Sequence, residues 1–439
     1  MSLLETDGLV RELFEELEQI PTVDAHEHLP TEEAHIKAEA DFFSLFQHYC
    51  RGDLIAAGAS DDDLKFLEDR KQPLKERWKR FKPLLSAIRT GSYARSAFIV
   101  IRELLGLDDL NDGTYEAVGE RLRGLRKPGE YDFILREKCN LAACIECWCY
   151  GQPGPDYFYH LAPGPEVVDL MNRGALDNMA KRCDHPVHTL ADALECMTKV
   201  VEKWRADPKV VGIKSAHAYA RSLAFQKVDA ATAERVFNQV LTNEGHWLSV
   251  NEALPLQDYL MFQLVARAEA VGLPMVFHTG LQAGNFNRIA NANPLLLQPI
   301  LEEFPRAKID LFHGGMPWVR EIAMLAKYFP GVHLNMAWMH MISPTQARSA
   351  LAEWLDMVPN TKIFGFGGDY GIVEKVYGHV KTARQDVAMV LADKVRQGAW
   401  SRDEASLVAR RLMNENAARF YGLKLGAKGQ RTGRKRTAT

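Results

Sequence analysis

Residues 23 to 30 read VDAHEHLP and place His26 and His28 two positions apart behind a short apolar start. On a β-strand, side chains at i and i+2 point to the same face, so both imidazoles would share one side and could grip a single metal ion. The alternative for these eight residues is an exposed pair on a loop. Four more polar residues stand where apolar runs end: Lys214 in KVVGIKS, His278 in LPMVFHTG, His313 in KIDLFHGG and Asp369 in KIFGFGGD. One histidine after an apolar strand is ordinarily a satisfied structural residue. Strand ends reading His-X-His, His-Thr-Gly, His-Gly-Gly and Gly-Gly-Asp together make a donor set suited to borderline divalent ions such as zinc.

Residues so far apart meet only if the fold gathers them. The second half of the chain alternates short β-rich runs (209–215, 273–280, 308–315, 331–338 and 362–369) with helical patterns. Helix starts are marked by Asn293-Pro294 and by the pairs Ser343 with Gln346 and Ser401 with Glu404. Near-continuous apolar strands alternating with helices predict an α/β fold, a (β/α)8 TIM barrel whose strand ends converge on one mouth. The first half is less regular. After VDAHEH come about a hundred residues of helical pattern, including ERWKRFKPLLSAI and YARSAFIVIRELLGL, before a strand near LAACIECWCYG. The expected organisation is one barrel over 1–425, carrying a helical cap insertion at about 30–135 after strand one, and a basic flexible tail at 426–439.

Composition narrows the partners. With 439 residues, 47% hydrophobic, 25% charged and a net charge of −3, the chain reads as a soluble globular protein with no extended polyanion partner. The basic cluster KGQRTGRKRTAT reads as a solvated terminus and not a nucleic-acid arm. The first twenty residues form an amphipathic helical pattern, with Leu9, Leu13, Leu17 and Ile20, without the basic start and apolar core of a signal peptide. No membrane span is expected, since no run of eighteen apolar residues occurs. Of seven cysteines, Cys144, Cys147 and Cys149 lie together without a matching second pair, so reduced buried thiols and a cytoplasmic location are expected.

On these motifs the chain resembles the amidohydrolase superfamily of metal-dependent barrels, specifically its broad second subfamily. The resemblance covers strand one and roughly residues 205 to 423, ending in NENAARFYGL. More locally, GIKSAHAYAR, FHTG, NANPLLLQPIL and FGGDYG resemble the amidohydrolase-like domain attached to some glutamine-synthetase-type proteins. The resemblance implies that His26, His28 and Asp369 bind a first metal and that His278 and His313 bind a second. It also implies that Lys214, carboxylated by carbon dioxide, bridges the two. The simpler form is a single ion on His26, His28, His278 and Asp369, with His313 acting on the water and Lys214 a cation for a substrate carboxylate. Zinc is expected as the ion, with manganese or another divalent metal as alternatives.

The implied reaction is hydrolysis of an amide, ester or lactone bond in a small, carboxylate-bearing substrate. Coordination lowers the pKa of water from about 15.7 towards 7, and Asp369 would act as general base and then general acid. Asp24 would fix an imidazole tautomer or serve as a turn residue. Tyr219 and Arg221, trailing Lys214, and Trp338, ending strand seven with Asn335, are substrate-binding candidates. LFQHYCRGDLIAAGAS, with His48, Tyr49 and Arg51, is loosely similar to a segment of uronate isomerases, so a sugar-acid isomerase with Arg51 on the substrate carboxylate is the alternative. A nonhydrolytic decarboxylase and a non-enzymatic scaffold are further alternatives. The resemblance also implies a homo-oligomer.

Overall fold

The computed structural model describes residues 7–147, 149–242, 245 and 247–426; the expected basic tail from residue 427 onward lies outside them. Eight parallel strands pair in sequence order: β1 Thr22–Glu27, β2 Leu141–Glu146, β3 Phe158–Pro163, β4 Val210–Ser215, β5 Met275–Phe277, β6 Ile309–Leu311, β7 Val332–Asn335 and β8 Ile363–Phe364. The ring closes where Ala25 N donates to Phe366 O (3.2 Å) and Asp369 N donates to His26 O (2.8 Å). This is a TIM barrel.

Strands of such a barrel are covered on both faces, which is why β1 and β4 are buried at every residue. Val23, Ala25, Ile145, Leu161, Val276, Phe312 and Phe364 pack together in one cluster. Ala417, Phe420 and Tyr421 of the last helix, Asn416–Tyr421, join it, and the Tyr421 hydroxyl is bonded to Asp310 of β6. A one-residue slip of any strand would turn its inward set outward, so this packing holds the register that points the strand ends at the mouth. The expected strands of the second half are all present but shorter. β8 keeps only two residues because Gly365, Gly367 and Gly368 carry the chain off into a loop. β3 was not foreseen: FYHLAP mixes His, Ala and Pro and follows the turn-rich GQPGPD.

Between β1 and β2 the described residues contain helices and no strand. They include Glu32–Lys37, Tyr49–Ala56, Asp61–Glu68, Leu74–Ile88, Ser92–Ile99 and Tyr115–Leu125. This insertion has its own apolar cluster around Phe42, Phe43, Phe46, Trp78 and Phe81. It docks on the barrel's mouth side. Ser92 Oγ donates to Met341 O at 2.6 Å, and Lys375 Nζ donates to Leu45 O and Tyr93 O at 3.2 and 2.8 Å. The helix Gly8–Gln19 buries Val10, Leu13, Phe14 and Leu17. Among the described residues no helix is long and apolar enough to cross a membrane. Cys183 and Cys196 form a disulfide, a pairing not expected from sequence, while Cys144, Cys147 and Cys149 are free thiols.

Candidate metal centre

The His-X-His spacing works as expected of a strand, bringing both rings to one side at the end of β1. His26 Nε2 and His28 Nε2 lie 3.1 Å apart and 3.6 and 3.1 Å from Asp369 Oδ1. Asp369 arrives from the loop after β8, held in left-handed backbone at φ 58°. Four bonds clamp that loop. Gly368 N donates to Asp24 Oδ1 (2.9 Å), His379 Nδ1 donates to Gly368 O (2.9 Å), Asp369 N donates to His26 O (2.8 Å) and Tyr370 N donates to Glu27 Oε2 (2.6 Å). Glycine is required at 368, since a Cβ there would lie 1.6 Å from Glu27 Oε1. Asp24 also accepts from His26 N at 3.2 Å, so it ties backbone to backbone and fixes no imidazole ring.

Across the mouth a second donor pair faces inward. His278 Nε2 is 3.0 Å from Leu281 O and His313 Nδ1 is 2.9 Å from Ala337 O. A carbonyl only accepts, so each of these nitrogens carries the ring proton. In the neutral rings His278 Nδ1 and His313 Nε2 are therefore bare, yet they face each other at 3.2 Å. Two opposed lone pairs with no proton between them fit a shared cation. His313 Nδ1 also lies 3.5 Å from Asp369 Oδ2, which joins the two pairs into one cluster. Lys214 lines the same cavity, its buried Nζ 3.6 Å from the centre of the Phe312 ring and without a hydrogen-bond partner. His26 packs on that ring as well.

The electrostatics prepare ligands. Burial, reinforced by Lys214, drives His26 well below its ordinary pKa. Burial and the neighbouring His313 do the same to His278, and burial brings His313 down to about 4. Burial alone would raise Asp369, but His26, His28 and His313 around it hold it well below the usual carboxylate range. Neutral imidazoles beside an ionised carboxylate are the protonation states that bind a divalent metal. Lys214 is lowered to about 8 by burial.

The amidohydrolase family profile matches residues 202–423, half of the chain. The chain belongs to the amidohydrolase family. Protein fluG of Emericella nidulans is 28% identical over 227 residues, 50% of this chain and 26% of the relative, so the match spans about a quarter of that protein's length. By structure it is similar to glucuronate isomerase from Caulobacter crescentus (TM-score 0.78, 17% identity, 96% of each chain). It is also similar to uronate isomerase from Thermotoga maritima (TM-score 0.75, 17% identity, 94% of this chain and 97% of that one). A third structure, provisionally named a metal-dependent hydrolase, from Lactobacillus casei, aligns at TM-score 0.62 with 18% identity over 93% of this chain and 97% of its own.

The cavity at the barrel's mouth holds about 410 Å³ and is lined by His28, Lys214, Tyr219, His278 and Asp369 together with His48, Tyr49 and Cys147. Tyr219 faces it with its hydroxyl accepting from Ala283 N at 2.9 Å. Trp338 stands behind the lining, its ring 4.1 Å from Tyr49 and 5.4 Å from His313. Asn335 bonds Asp310 and Ala337 N inside the barrel. Trp338 therefore does not line the cavity itself, and two further expected substrate residues are not brought to it. The Arg221 guanidinium is buried on Asp258 (2.6 Å), Gln257 (3.2 Å) and Ser222 O (3.0 Å). Arg51 points to the surface, 3.2 Å from Glu68. Both cations already have partners that packing supplies. Of the lining residues absent from the expected site, His48 and Tyr49 come from the insertion, where the LFQHYCRG stretch was their signal, and Cys147 directly follows β2. His48, His313, Trp338 and Asp369 all have positive φ, four of the seven such non-glycine residues described, and strain of this kind gathers at functional sites.

Proposed function

We propose that this amidohydrolase uses divalent metal, zinc or manganese, to hydrolyse an amide, ester or lactone bond of a small carboxylate-bearing molecule. The observation that carries the reading is the bare pair His278 Nδ1 and His313 Nε2, 3.2 Å apart, beside the cluster His26, His28 and Asp369. That makes two adjoining donor groups, where a single-ion site needs only one. His26, His28, His278, His313 and Asp369 would hold the divalent metal, which when bound would lower the pKa of a coordinated water to about 7 and polarise a carbonyl oxygen. Asp369 takes the proton released as the water oxygen bonds to the carbonyl carbon. It returns that proton to the departing nitrogen or oxygen as the C–N or C–O bond breaks. Lys214, buried and unpartnered over Phe312, would serve either as a metal-holding carbamate, formed when its neutral amine adds carbon dioxide and loses a proton, or as a cation for the substrate carboxylate. Tyr219 borders the cavity on the substrate side.

One observation favours a second reading, isomerisation of a sugar acid. His48 and Tyr49 of the insertion line the cavity, and the likeness to two uronate isomerases covers insertion and barrel together. The deciding experiment assays the zinc- and manganese-loaded protein against N-acyl amino acids, γ-glutamyl amides, lactones and uronates. Hydrolysis of any of the first three classes is the expected result. Turnover of uronates alone replaces hydrolase with isomerase. Infrared or mass detection of a carbamate on Lys214, lost in Lys214→Met, tests the lysine's part.

A further inference from the structure

A second histidine–carboxylate cluster lies outside the cavity, and nothing in the reaction above uses it. His35 sits in the helix Glu32–Lys37 at the start of the insertion, Glu130 at the first position of the helical run 130–138 at its end, and Glu374 in the first turn of the helix Val373–Arg396 after β8. All three are buried, at 5%, 1% and 1% exposure. His35 Nε2 lies 3.5 Å from Glu130 Oε1 and 3.7 Å from Glu374 Oε1, and neither this nitrogen nor any of the four carboxylate oxygens makes a hydrogen bond.

We propose that His35, Glu130 and Glu374 bind a divalent cation of the zinc or manganese class that pins both ends of the insertion to the barrel. Spacing favours an ion over a proton. A protonated His35 would be drawn to about 2.7–2.9 Å from one carboxylate; instead it stands nearly midway between two. Nitrogen and oxygen ligands at about 2.0–2.2 Å around one tetrahedral ion are roughly 3.3–3.6 Å apart, close to the distances seen. Two buried carboxylates with no hydrogen bond need a counter-charge; without an ion they would draw it from His35, whose pKa they raise to about 9. Arg126 supplies a counter-charge only in part. Its Nη1 is given to His35 O and Ala38 O (2.9 and 2.6 Å), and its Nη2 reaches Glu374 no closer than 3.7 Å.

The ligands are held in place beforehand. Glu32 Oε1 accepts from Gly129 N and Tyr131 N at 3.1 and 2.9 Å, fixing the backbone on both sides of Glu130 from the helix that carries His35. Support of this kind is what orients the ligands of a metal site. Glu374 follows Asp369 by five residues, so an ion here also fixes the start of the helix behind the catalytic loop.

The test is anomalous diffraction from crystals of the full chain grown with Mn²⁺ or Zn²⁺. The expected result is a peak bonded to His35 Nε2, Glu130 and Glu374. No peak there, whatever stands at the mouth, overturns the proposal. In solution, the double variant Glu130→Gln with Glu374→Gln should bind one equivalent of metal fewer than the parent, and equal content overturns it. The variant His26→Ala with His28→Ala removes one of the two donor groups at the mouth and should keep the peak at His35, so the result is independent of the reaction assigned above. If the glutamine variant fails to fold, the diffraction arm still decides.

Discussion

The two histidine–carboxylate clusters use the same ligand chemistry, and their difference is access. At the barrel mouth His28 keeps 19% of its side chain exposed, and the group opens on a cavity of about 410 Å³. At the insertion's edge His35, Glu130 and Glu374 have no such opening and line none of the cavities described. Catalytic metal sites keep a position free for water or substrate, whereas structural sites are closed by protein ligands. On that division the proposed chemistry belongs to the mouth, and the proposed ion at the edge holds the insertion in place. Backbone strain follows the same division: His313 and Asp369 have positive φ, while His35, Glu130 and Glu374 do not.

The largest effect expected is at the mouth. Asp369→Asn keeps the shape of the side chain and removes its charge and basicity. Turnover should fall by about 10²–10⁴-fold with a much smaller change in KM, measured by steady-state kinetics on whichever substrate the panel identifies. Near-full turnover in this variant would erase the distinction between the two clusters. Next comes the loop that delivers Asp369. Gly368→Ala places a Cβ 1.6 Å from Glu27 Oε1 and 3.2 Å from Asp24 Oδ2, both held by backbone donors and unable to retreat. The loop must shift, costing at least about 1–3 kcal/mol in denaturant unfolding, and turnover should fall with it. Unchanged stability would mean the clamp is looser than its four bonds imply.

How much of this was legible beforehand depended on whether a residue's role is set by its own strand. β4 to β8 are buried on both faces, so they appear as continuous apolar runs, and their terminal donors Lys214, His278, His313 and Asp369 could be read directly. β3 could not, because Phe158–Pro163 lacks β-branched residues and a clear end. The failures at Arg51 and Arg221 have one cause. A guanidinium's partner is chosen by packing, and Asp258 and Glu68 lie on helices whose approach nothing local predicts. His48 and Tyr49 depend on the path of an insertion with its own core. His35, Glu130 and Glu374 spread over more than 300 positions on three separate elements, with no shared periodicity or strand-end setting to mark them.

The smallest effect, taken per unit of pH, concerns a buried acid without a histidine. Asp310, on β6, is fully buried and bonded to Tyr421 and Asn335. Burial pushes its pKa up to about 7, only partly opposed by those two bonds and by Lys214. Its folded value lies above its ordinary value of 3.8, so between these two pH values the native state holds a proton that the unfolded chain has released. Stability contributed at this site must fall as pH rises from 3.8 to about 7, by at most roughly 1.4 kcal/mol per pH unit, and level off outside that window. Asp310→Asn removes the titration. The difference between parent and variant in denaturant unfolding should shift in the variant's favour across that window, with or without chelator. A difference flat in pH would mean Asp310 is ionised when folded. A buried carboxylate would then need no histidine to keep its charge, and the line drawn between acids that hold ions and acids that hold protons would fail.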